Sequence, residues 1–204
     1  VGGIGLGLRQ AGYRGSIVGV GRRQSTLDKA KSLGCIDRGV SRDEAATALK
    51  DAQLVVLATP LSSFTDWFGW IAQHDHEQLV ITDVGSTKQQ VCNAAAKLLP
   101  DASRFVGSHP MAGSELHGPD HASADLFRGR LCILTPEGTQ ANADAVEVVT
   151  NLWTTLGMKL TTKSSADHDQ LVATISHLPQ AVASLLVQLA ERHKAVRVAS
   201  TGRR

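Results

Sequence analysis

Short apolar runs set between helix-like stretches constrain this chain more than any other feature. Leu54-Val55-Val56-Leu57-Ala58, Leu79-Val80-Ile81-Thr82 and Leu131-Cys132-Ile133-Leu134 show almost no polar alternation. That is how strands buried on both faces read in a parallel sheet. Ser16 to Gly21, Phe105-Val106 and Lys159 to Thr162 are expected to add strands. Between them lie stretches with helical spacing. Ser25 is placed to cap a helix running through Leu27, Ala30 and Leu33 to a stop at Gly34. Ser41 to Leu49 carries its acids in the first turn. Trp67, Phe68, Trp70 and Ile71 form one apolar face, Val91, Ala95 and Leu98 another, and Ala145, Val148, Val149, Leu152 and Leu156 a third. Strand–helix alternation of this kind predicts an α/β, doubly wound, Rossmann-like and mostly parallel sheet.

From Ala166 onward the pattern changes. Leu171, Ile175, Leu178, Val182, Leu185, Leu186 and Leu189 recur about once per helical turn, with Pro179 expected to bend the helix. One helix this apolar has more surface than the sheet can cover. The chain therefore divides into a sheet domain over 1–164 and a helical segment over 165–204 that needs further helices or a second subunit to pack on.

Composition narrows the partners. In 204 residues, 42% are hydrophobic, enough for one sizeable core and a small second domain. A net charge of +2 is too small to point to nucleic acid or an anionic membrane surface. No uninterrupted apolar run approaches the ~20 residues of a membrane span, and no signal peptide is visible. Cys35, Cys92 and Cys132 are scattered without metal-ligand spacing, so no metal site and a reducing cytoplasm are expected. The chain opens inside a glycine-rich turn, without the strand that should precede it, and ends after a helical stretch without a stop signal. Truncation at both ends is the expectation.

The candidate chemistry sits at strand ends, where open α/β sheets carry their sites. Gly2 and Gly3 suit a turn that brings a helix N-terminus to a pyrophosphate. Arg22 and Arg23 follow the next strand where an acidic residue would bind the 2′-hydroxyl of NAD. Arginine there accommodates the 2′-phosphate of NADP, so NADP is the preferred cofactor and NAD the alternative. Thr59-Pro60 ends the next strand. Ser86 stands before the Val91 helix as an ordinary N-cap or a functional hydroxyl. After Phe105-Val106, a loop with Gly107, Pro110 and Gly113 presents His109, the one side chain there that exchanges a proton near neutral pH.

Three stretches together resemble the prephenate and arogenate dehydrogenases of tyrosine biosynthesis. They are Thr82-Asp83-Val84-Gly85-Ser86-Thr87-Lys88, Gly107-Ser108-His109-Pro110-Met111-Ala112-Gly113-Ser114-Glu115, and Ser176-His177-Leu178-Pro179. The resemblance implies NAD(P)-dependent oxidative decarboxylation of prephenate or arogenate. It implies that His109 withdraws the ring-hydroxyl proton while Ser86 orients it, and that Thr59 and Pro60 lie beside the dinucleotide. Ser114, Glu115, Ser176 and Gln180 would line the substrate; residues 1–164 would form the nucleotide-binding domain and 165–204 the beginning of an all-helical domain that makes a homodimer. Gln180 departs from the histidine frequent in prephenate users, and the family's carboxylate-gripping arginine lies past Arg204. A β-hydroxyacid dehydrogenase would share the sheet and helix plan but carry a lysine on the long helix. The region around Ser176-His177 offers none. A non-catalytic dinucleotide-binding fragment is the remaining alternative.

Overall fold

The computed structural model describes residues 2–113 and 118–192. Helices and strands alternate: α1 (Gly2–Gln10), β1 (Val18–Val20), α2 (Gln24–Ser32), β2 (Arg38–Val40), α3 (Arg42–Leu49), β3 (Leu54–Leu57), α4 (Phe64–Ala72), β4 (Val80–Asp83), α5 (Gln89–Leu98), β5 (Phe105–Pro110), β6 (Leu131–Thr135), α6 (Ala143–Thr155) and β7 (Lys159–Thr162). The chain continues into α7 (Ser165–Val172), a π-helical stretch Ala173–His177, and α8 (Leu178–Arg192). The α/β class and the helical C-terminal segment follow the sequence.

Two features depart from the simplest doubly wound plan. β3, β4 and β5 pair in parallel and β6 pairs in parallel with β7, but β5 and β6 run antiparallel. Among the described residues β1 pairs with β2 alone, so the ladder falls into a two-stranded and a five-stranded piece. β3 is consequently an edge strand. Its apolar run is not buried throughout as expected: Leu57 is buried, while Leu54, Val55 and Val56 are half-buried. An unpaired flank leaves backbone and side-chain edges open to water.

The core follows strand periodicity. Consecutive strand residues point to opposite faces. Val80 and Val106 join Val149, Leu152 and Trp153 of α6 on one face. Ile81 and Phe105 join Phe68 and Ile71 of α4 and Val91 and Ala95 of α5 on the other. Helices therefore cover both faces of the five-stranded sheet, which fixes the strand ends as the open rim.

Local termini refine the sequence reading. Ser41 caps α3 with a complete capping box to Glu44. Ser25 does not cap α2; that helix starts at Gln24, with Arg23 in the cap position and no side-chain hydrogen bond. The long C-terminal helix is continuous from Ser165 to Arg192. Pro179 has no N–H for the carbonyl of Ile175, and the helix widens into its π turn just before the proline. This helix is long and apolar enough to cross a membrane by length and composition, with a mean hydropathy of 1.3 over its best window. Uninterrupted apolar runs do not reveal this, because scattered polar residues break the run without lowering the average much. No residue of α8 is buried.

Candidate active site

Every residue of β5 is buried. Phe105 faces α4, its ring 5.3 Å from that of Phe68, and Val106 faces α6. The same alternation returns His109 to the Phe105 side. His109 belongs to the strand itself, paired with Ile133 of β6, and not to the loop in which the sequence reading set it. The antiparallel return of β6 is the reason, because its ladder holds the chain in register to Pro110. Gly107 likewise serves through its missing side chain. A Cβ there would collide with Thr135 Oγ1 and stand 3.5 Å from Lys88 Cδ.

Lys88 uses the space. Its buried ammonium pairs with Asp83 and donates to the Ser108 carbonyl oxygen at 2.9 Å. Asp83 accepts from the N–H groups of Ser108 at 3.0 Å and Gly85 at 2.7 Å. Burial pushes the Asp83 carboxyl up, against the pull of Lys88 and those two N–H donors. The Ser108 hydroxyl donates to the Asp83 carbonyl and accepts from Trp153 Nε1 at 3.1 Å. The residue before His109 is thus tied to β4, α5 and α6 together.

His109 Nδ1 lies 2.9 Å from His168 Nε2, and His168 Nδ1 lies 2.8 Å from Asp169 Oδ1. Asp169 also accepts from the backbone N–H groups of Lys88 at 2.7 Å and Gln89 at 3.0 Å. The carboxylate therefore caps α5 from α7, which suits the positive end of that helix. Ser86, expected as the cap, is exposed, and the cap position belongs to Lys88. Among the described residues no hydrogen bond joins Ser86 to His109. Burial pushes His109 down to about 4, helped by its neighbours His168, Lys88 and His177 and opposed by Asp169. Burial also lowers His168, against the pull of Asp169. Burial works against the Asp169 carboxylate, but the N–H groups of Gln89 and Lys88 and the His168 ring outweigh it and lower its pKa.

Thr59, Ser86 and His109 all lie at or just past the C-terminal ends of the parallel strands β3, β4 and β5. Thr59 is half-buried and accepts from Ser63 Oγ at 2.8 Å, and Pro60 opens a 3₁₀ turn, Leu61–Ser63. Arg22 and Arg23 are exposed just past β1. Gly2 and Gly3 form the first turn of α1, where a Cβ would come within 2.7 Å of Ala122 Cβ and 3.0 Å of the Ser123 carbonyl oxygen respectively. Their bareness lets α1 close on that segment. Ser176, His177 and Gln180 are exposed on the long helix. Ser114 and Glu115 lie outside the described residues. A strand-end rim, a helix N-terminus and two exposed arginines fit a dinucleotide.

His168, Asp169 and Lys88 escaped the sequence reading. His168 stands 59 residues beyond His109. Its one signal was an adjacent His–Asp pair at the start of a helix. Lys88 read as the polar tail of the Ser86 loop, and nothing in its neighbourhood foretold full burial.

Comparison with known proteins adds the following. The family model for the prephenate dehydrogenase nucleotide-binding domain matches residues 4–162, and that for the prephenate dehydrogenase dimerization domain matches residues 164–202. Prephenate dehydrogenase of Bacillus subtilis is 36% identical over 187 residues, covering 91% of this chain and 50% of that protein. The structure of prephenate dehydrogenase from A. aeolicus in complex with hydroxyphenyl propionate and NAD+ superposes with a TM-score of 0.87 at 30% identity, covering 94% of this chain and 65% of that one. Synechocystis arogenate dehydrogenase superposes with a TM-score of 0.79 at 31% identity, covering 93% and 65%. The chain spans about half the length of the curated relatives it matches.

Proposed function

The chain belongs to the prephenate dehydrogenase family, and on that premise we propose that the protein oxidises and decarboxylates prephenate or arogenate in tyrosine biosynthesis. The observation that carries this reading is His109, a buried histidine kept neutral at the end of a parallel strand. A neutral ring can accept the substrate hydroxyl proton. A bound nicotinamide would supply the acceptor for the hydride leaving the carbon that bears that hydroxyl, and loss of carbon dioxide would leave an aromatic ring. Aromatisation drives the step, so the protein's main task is positioning. Lys88, Asp83 and Trp153 serve that task by fixing Ser108, next to His109.

The remaining assignments belong to the same proposal. Ser86 orients the substrate hydroxyl from the neighbouring strand end. Gly2 and Gly3 open the helix that faces the pyrophosphate, and Thr59 and Pro60 flank the dinucleotide. Arg22 and Arg23 favour NADP over NAD, since a 2′-phosphate gains charge-assisted hydrogen bonds from guanidinium groups. Ser114, Glu115, Ser176 and Gln180 line the substrate. Gln180 can donate and accept without charge, which suits an amino-acid side chain as well as a keto acid. The bare apolar face of α8 supports a homodimer, and three buried free thiols support a reducing cytoplasm.

The test is nicotinamide reduction by the intact protein with each substrate and each cofactor. The wild type is expected to turn over at least one substrate, faster with NADP. His109→Asn should cut turnover by roughly a hundredfold or more while cofactor binding holds. Arg22→Ala with Arg23→Ala should shift the cofactor ratio toward NAD. No turnover with either substrate overturns the function, and an unchanged cofactor ratio overturns the role of the arginines.

A further inference from the structure

We propose that Asp169 and His168 form a hydrogen-bonded relay that fixes which nitrogen of His109 faces the substrate with a lone pair and stabilises the charge His109 takes up. The inference rests on His109 being the base of the proposed reaction. Asp169 supplies only acceptors to the N–H groups of Lys88 and Gln89 and to His168 Nδ1. An ionised carboxylate requires His168 to carry its hydrogen on Nδ1. In the neutral ring, Nε2 of His168 then holds a lone pair. His109 Nδ1, 2.9 Å away, must therefore be the donor. That leaves Nε2 of His109 as a lone pair, the only form of the ring that can act as a base there.

His109 Nε2 takes the substrate hydroxyl proton, and the ring, now charged, keeps its Nδ1 hydrogen donated to His168 Nε2. His168 keeps its own hydrogen on Nδ1, donated to the ionised Asp169, so one proton moves and the resting tautomers persist when Nε2 releases it. His168 is fully buried and the Asp169 side chain is 28% exposed. The charged and titratable groups facing the pair are Asp169 on α7, Lys88 before α5, Asp83 on β4 and His177 on the π-helical stretch. Lys88 and His177 oppose a resting positive charge, and Asp169 favours a transient one. The relay thus keeps the base neutral at rest and eases its protonation during the step. His168 and Asp169 are positioning residues; they act through His109.

Asp169→Leu is the decisive variant. One carboxylate oxygen, Oδ1, accepts from both the Lys88 N–H and His168 Nδ1, and leucine removes it, so nothing holds the His168 hydrogen on Nδ1 and both rings should populate both tautomers. Asp169→Asn is the control: an amide oxygen in that place keeps both bonds and loses only the one to Gln89. In the intact protein with ¹⁵N-labelled histidine, without substrate, the His109 ring resonances should move toward averaged shifts in Asp169→Leu and stay at their wild-type values in Asp169→Asn. Turnover of Asp169→Leu should fall by roughly tenfold or more, since a wrong tautomer cannot act as the base, with KM and dinucleotide affinity nearly unchanged. His168→Phe is the second variant. It leaves Asp169 capping α5 but removes the acceptor for His109 Nδ1, so His109 should again populate both tautomers. A wild-type ring pattern in Asp169→Leu and His168→Phe, or wild-type turnover in both, overturns the relay. If neither substrate is oxidised, the function falls while the ring resonances still decide the relay.

Discussion

A histidine pushed down to about 4 makes the fold sensitive to acid. An unfolded chain protonates that ring near 6.5, whereas the folded protein resists until about 4. The unfolded state therefore binds more protons between those values, and stability rises with pH across the window. The contribution is complete above about 6.5 and is lost as pH falls to about 4, on the order of 3 kcal/mol for a shift of this size. His168, lowered as well, acts in the same direction. Denaturant unfolding of wild type and His109→Gln at several pH values should give curves that run parallel above neutrality and converge below 6. Curves parallel throughout would sink the argument. At this scale the sequence was legible where a residue's neighbours in the chain define it. His109 stands in a specific run with Pro110 and Gly113, and that run could be read. His168 gains its meaning from a ring on another element, which no local spacing encodes. The capping alternative for Ser86 fails for a physical reason: a serine before a helix is a good cap, but a carboxylate from α7 accepts two N–H groups and carries the better charge.

Elements show the same division between local rules and packing. Gly5 and Gly69 both sit inside helices, α1 and α4. By propensity alone both should improve on replacement by alanine, by roughly 0.5–1 kcal/mol. Around Gly69 nothing lies within 4 Å of a built Cβ, so Gly69→Ala is expected to stabilise by that amount. At Gly5 a Cβ would collide with the carbonyl oxygen of Cys35, a backbone atom that cannot swing aside. Gly5→Ala is expected to destabilise by about 1–3 kcal/mol. Urea midpoints for the two variants should move in opposite directions, and a shared direction would show that α1 packs less tightly than described. Strand and helix existence was legible because apolar periodicity is local. The direction of β6 was not, since an apolar run carries no sign of which way it points. The π turn was foreshadowed by Pro179, but a bend was the expectation. A continuous helix can absorb the missing donor by widening instead.

The whole molecule is marked by what α8 leaves uncovered. Leu178, Val182, Leu185, Leu186 and Leu189 are each between 47% and 60% exposed. A large apolar side chain is worth about 1.5–3 kcal/mol when buried, and this is the face that the proposed homodimer would bury. Leu185→Glu should convert a dimer of the intact protein to a monomer in sedimentation; an unchanged mass would place the interface elsewhere. The sequence showed this surplus as apolar spacing without a sheet to meet it. The same unbroken helix that offers the face at one end holds His168 and Asp169 at the other. In the proposed dimer, a rod clamped at one end by its twin and at the other by the proposed base would transmit any loosening of the first to the second. Dilution alone would then behave as an inhibitor. Specific activity of the intact protein should fall with concentration, with the substrate in excess and the fold intact, as copies part and their helices lose their anchor.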